Sequence, residues 1–62
     1  MVQVLVVIAS GFEEIEMLTP VDILKRAGAT VTIASIMPKE DGLLVESKHN
    51  IIMKCDAVII LI

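Results

Sequence analysis

The chain has one cysteine, one histidine, three glycines and five lysine and arginine residues among 62 positions. Each scarcity excludes something. A single thiol, Cys55, cannot close an internal disulfide, and no Cys/His spacing suits zinc. Five cations against eight acids leave a net charge of −3 and a pI near 4.8. No basic stripe can then neutralise a run of phosphates, which argues against nucleic-acid binding. Long apolar runs are also missing. Val4–Ala9 and Ala57–Ile62 fall far short of the roughly 20 residues that span a bilayer. The first run lacks the basic start and long apolar core of a signal peptide. A cytoplasmic protein with a reduced thiol and no membrane association is the expectation.

What remains is strongly apolar: 56% of residues are hydrophobic and the mean hydropathy is +0.90. A chain this short buries only about 60% of the surface it exposes when unfolded. Such apolar content needs a cover, either a partner or the remainder of the same domain. No repeat, linker or low-complexity segment interrupts the chain.

Val2–Ala9 is a nearly unbroken β-branched run, which suits a strand of a parallel sheet covered on both faces. Residues 13–26 place Ile15, Leu18, Val21 and Leu24 at a spacing that builds one face of a helix. Pro20 interrupts that pattern, because inside a helix it removes a hydrogen bond and crowds the preceding turn. Two solutions stay open. Either a short acidic turn precedes a helix capped by Thr19 with Pro20 at its first position, or one helix runs through and kinks at Pro20. Lys25 and Arg26 complement the C-terminal dipole, and Gly28 suits a left-handed cap.

Ala29–Ile36 reads as a second strand, and strand, helix, strand in this order predicts a right-handed crossover with parallel strands. Residues 38–42 form a polar turn. Leu43–Ser47 and Ile51–Lys54 read as short strands joined by a hairpin at Lys48, His49 and Asn50, with Asn50 tolerating a left-handed backbone. Val58–Ile62 predicts one more buried strand. The fold class is therefore α/β with a mainly parallel sheet and a short hairpin. Apolar strands need helices on both faces, and the chain supplies one. Residues 1–62 are thus expected to be the N-terminal piece of a single larger domain.

The chemistry-bearing segment is Ser10, Gly11, Phe12, Glu13, Glu14, Ile15 and Glu16. It lies at the carboxyl end of the first strand, where open α/β sheets place their sites. One glycine beside adjacent acids cannot cradle a phosphate. Clustered carboxylates can take Mg²⁺ or Ca²⁺, but Glu13 and Glu16 lie three apart, Glu14 faces elsewhere, and no further oxygen ligand is evident. No metal or cofactor is assigned. Glu13 and Glu14 suit the first helical turn, where acids stabilise the dipole by about 0.3–1 kcal/mol each. Glu16 differs, since Ile15, Met17 and Leu18 surround it. Burial there would raise its pKa and let it hold a proton near neutral pH. Cys55 reads as an ordinary cysteine whose pKa the neighbouring Asp56 raises. His49 reads as a surface turn residue without an acid or thiol partner, and Met17 and Met53 as packing or dimer-surface residues.

Taken together, Val4–Ala9, the Gly11–Glu16 pattern Gly-x-Glu-Glu-x-Glu, Thr19–Asp22 and Lys25–Gly28 resemble the start of the ThiJ/PfpI superfamily. The branch is that of Parkinson disease protein seven and its bacterial chaperone and deglycase relatives. The resemblance is close over residues 2–36 and loose over 43–56. It implies a flavodoxin-like (Rossmann-like) sandwich, a homodimer to which Lys48 would contribute, and a reactive cysteine with a nearby histidine on a strand-to-helix turn beyond Ile62. It assigns Glu16 as the catalytic glutamate, protonated and hydrogen-bonded to that cysteine or its sulfinate. The implied functions are glyoxalase or deglycase action on small aldehydes or glycated groups, oxidative-stress sensing and chaperone action. Some relatives carry the label of thiazole biosynthesis proteins. The 62-residue chain alone lacks the nucleophile and is not expected to run this chemistry. Two alternatives stand beside it: a non-catalytic homodimeric stress protein of the same fold, and an unrelated Mg²⁺-binding receiver-type module.

Overall fold

A computed structural model describes residues 2–37 and 42–59. The elements are β1 (Gln3–Ile8), α1 (Glu14–Arg26), β2 (Thr30–Ser35), β3 (Leu44–Glu46), β4 (Ile52–Lys54) and β5 (Ala57–Val58). β1 and β2 pair in parallel from Gln3↔Thr30 to Ile8↔Ser35. β5 adds in parallel to the other side of β2, so β2 is central and β1 has a strand neighbour on one side only among the described residues. β3 and β4 form a separate antiparallel hairpin, with Val45 opposite Met53. The α/β class, the parallel sheet and the hairpin thus stand as the sequence indicates. The polar turn expected at 38–42 lies mostly outside the described residues, as does the end of the last strand beyond Ile59.

In-register partners share a sheet face. Val4, Val6 and Ile8 lie beside Val31, Ile33 and Ser35 on one side. Met17 and Val21 of α1 join Ile8, Val31 and Ile33 in the core, which Val45 and Cys55 of the hairpin region extend. The opposite face is unlike it: Leu5 is 58% and Val7 47% exposed. α1 covers one face, and among the described residues no helix covers the other.

α1 takes the continuous solution. Glu13, with an extended backbone, is its N-cap and accepts the Ile15 N–H at 3.3 Å. Thr19 is no cap and lies inside the helix with Pro20. The cost of Pro20 is small here because the carbonyl it deprives of a donor is that of Glu16, an exposed residue whose backbone water can serve. At the other end Gly28 adopts φ +91°, and the Ala27, Gly28 and Ala29 N–H groups donate to Ile23, Lys25 and Leu24 carbonyls at 3.0 Å each. This is the left-handed glycine cap. Asp22 forms an exposed i,i+4 pair with Arg26 at 3.0 Å.

The hairpin turn is built by Ser47. Its N–H donates to the Ile51 carbonyl at 2.8 Å, and its hydroxyl accepts the His49 and Ile51 N–H groups at 3.3 and 3.1 Å. Asn50 takes φ +63°, the left-handed conformation asparagine tolerates. Asp56 then ties the following turn to β2 twice: its N–H donates to the Ile33 carbonyl, and its carboxylate accepts the Ile33 N–H, both at 2.8 Å.

Candidate functional site

The loop leaving β1 is laced to the hairpin. Gly11, at φ +86°, donates its N–H to the Glu46 carbonyl at 2.9 Å, and Lys48 donates to the Phe12 carbonyl at 2.8 Å. These bonds bring the hairpin turn against the first turn of α1. His49 Nδ1 lies 2.6 Å from Glu14 Oε1 and 3.8 Å from Glu13 Oε1. The expectation of a partnerless histidine is therefore overturned. So is the divergence of Glu14 from Glu13: one sits at the extended cap and the other at the first helical position, and both reach the same imidazole.

Glu14 is the buried acid of this site, only 7% exposed. Burial pushes its pKa upward, but hydrogen bonds from its own backbone N–H, His49 and the Ser47 hydroxyl, with the His49 charge, outweigh it and hold the carboxyl below its usual range. Oε1 is the oxygen that meets His49, and Oε2 is sealed from solvent. Ligand atoms of Glu13, Glu14 and His49 all lie within 4.8 Å of one another.

Glu16, the residue assigned by resemblance, is exposed on the first turn of α1. The burial expected at position 16 is found at position 14. The helical turn carries Glu16 away from the hairpin side, where Glu14 points. Cys55 is free, buried and part of the core. Burial, with the Asp56 carboxylate, pushes its thiol pKa up, which agrees with an unreactive cysteine. Met17 is buried in the same core and Met53 packs against it. A cavity of about 370 Å³ lies at the opposite end of β1, lined by Val2, Leu24, Ala27, Gly28 and Ala29, and offers no titratable side chain. No helix among the described residues is long and apolar enough to cross a membrane.

A parallel βαβ unit with an acidic turn at the carboxyl end of β1, closed by a hairpin, defines a class of flavodoxin-like proteins. Residues 2–60 match the sequence profile of the DJ-1/PfpI family, and the chain belongs to that family. Over 36 residues it is 50% identical to the Parkinson disease protein 7 homolog of Danio rerio, a match covering 58% of this chain and 19% of the relative. Among solved structures, oxidized Toxoplasma gondii DJ-1 superposes with a TM-score of 0.84 at 36% identity, covering 94% of this chain and 30% of that one. A cysteine-to-alanine mutant of a DJ-1 superfamily protein from Salmonella typhimurium gives 0.85 at 34% identity, with the same coverage. The chain thus spans less than a third of the length of these relatives.

Proposed function

We propose that this chain is the N-terminal segment of a cysteine-dependent DJ-1/PfpI protein that acts on small reactive aldehydes or glycated groups and responds to oxidative stress, with Glu16 serving the cysteine. Family membership over residues 2–60 is the observation that carries this reading. Glu16 lies on the first turn of α1, which follows the carboxyl end of β1, the region where open α/β sheets bind ligands. In the intact domain a thiolate attacks the aldehyde carbon, a C–S bond forms, and the carbonyl oxygen takes up a proton to give a hemithioacetal. Glu16 orients the sulfur and assists that proton movement through a hydrogen bond. After oxidation the same carboxyl group holds the sulfinate. Exposed Ile15, Leu18 and Ile23 on α1 support assembly as a homodimer.

The test is Glu16→Leu in the intact protein, followed by thiol titration, aldehyde turnover and mass analysis of the peroxide product. A raised cysteine pKa, or a shift away from sulfinate, is expected together with slower turnover. Titration, product and rate that match the parent would remove Glu16 from the mechanism.

A further inference from the structure

We propose that Met37 is a reversible oxidation site for peroxide, and that its sulfoxide tightens the loop leaving β1. The thioether sulfur lies 3.4 Å from the Ser10 backbone nitrogen and accepts its N–H, an exposed bond between positions 27 apart. Met37 is half-buried against the core, and its sulfur reaches out to exposed Ser10. The other described methionines are placed differently. Met17 is 9% exposed and lies within the core. Met53 packs against that core from β4, opposite fully buried Val45. Met37 alone of the three thus combines a surface approach with a backbone donor aimed at its sulfur.

The oxidant is a hydroperoxide, and the step balances with it alone. A sulfur lone pair attacks one peroxide oxygen, an S–O bond forms and the O–O bond breaks. The departing hydroxide takes the proton from the transferred oxygen and leaves as water. Sulfur has lost two electrons and the peroxide has gained them. Negative charge builds on the transferred oxygen, where the Ser10 N–H stands ready to meet it. A thioether is a weak acceptor, whereas the sulfoxide is polar, so the product holds that N–H more firmly. The frame keeps the change local. The Met37 N–H donates to the Ser35 hydroxyl at 3.0 Å, and the Ile36 N–H to the Ile8 carbonyl at 3.2 Å. Gly11, next after Ser10, is already held by the Glu46 carbonyl. A firmer Ser10 therefore stiffens the approach to the first turn of α1. The site needs neither Glu16 nor a reactive cysteine.

The intact protein is treated with dilute hydrogen peroxide, and oxygen addition is mapped over time by peptide mass. Met37 should gain one oxygen several times faster than Met17 and Met53. Amide exchange at Ser10 should then slow by roughly two- to tenfold, the range one hydrogen bond gives. Methionine sulfoxide reductase should restore the original rate. Met37→Leu keeps the apolar bulk but offers no acceptor, so its Ser10 exchange should be indifferent to peroxide. Glu16→Leu should oxidise at Met37 at the parent rate, which lets this site and the role of Glu16 fail separately. Oxidation of Met37 no faster than that of Met17 overturns the proposal. So does Ser10 exchange that peroxide leaves unchanged or quickens, or that slows equally in Met37→Leu.

Discussion

The two faces of the β1–β2 pair carry side chains of similar chemistry and meet different surroundings. Toward α1, Ile8, Val31 and Ile33 are buried with Met17 and Val21. Away from it, Leu5 and Val7 stand about half exposed, and of their neighbours on β2 only Ala34, flanked by strands on both sides, is buried. Apolar sequence is therefore a request for cover, and the element that answers it decides whether a core results. The solved relatives that the chain matches are more than three times as long.

The comparison is broken or sharpened most severely by charges. Val21→Asp places an unpaired carboxylate under α1 and should cost several kcal/mol, enough to unfold the chain in any context. Leu5→Asp should change the stability of the 62-residue chain by less than about 0.5 kcal/mol, yet be as damaging as Val21→Asp in the intact protein. Paired denaturation curves check this, and equal effects of Leu5→Asp in both settings would show that the open face stays open. Next in size is Asp56→Ala, which strips the Ile33 N–H of its acceptor and should cost about 1–3 kcal/mol in a urea titration.

A subtler expectation concerns acid. Because the folded Glu14 carboxyl is held below its usual pKa, its stabilisation is complete above the unfolded value and fades as pH falls through the folded one. Glu14→Gln should flatten that acid limb in a pH series of melting curves.

How far the sequence reaches can be judged residue by residue. The β-branched runs at 2–9 and 29–36 and the glycine at 28 locate β1, β2 and the end of α1, because strand burial and left-handed caps are local demands. Asn50 marks the hairpin for the same reason. The start of α1 was harder to read, since Pro20 favours a later cap on local grounds while the Gly11–Glu46 and Lys48–Phe12 bonds anchor the earlier one. The pairing of His49 with Glu14 joins positions 35 apart and depends on how the hairpin packs, which spacing does not encode. Glu16 is reached through resemblance alone, and it stands exposed on α1.

The smallest effect belongs to Arg26→Ala. The Asp22 pair is exposed on both sides, so its loss should fall below about 0.5 kcal/mol, and a melting curve indistinguishable from the parent is the expected result.

β1 also has a border as well as faces. Its outer edge meets no strand among the described residues, and the sequence there, Gln-Val-Leu-Val-Val-Ile, contains neither the lysine nor the proline that guards such rims in soluble proteins. A nascent or clipped chain would offer this stretch as a template for copies of itself. A lysine at position 5 would slow such self-templated aggregation.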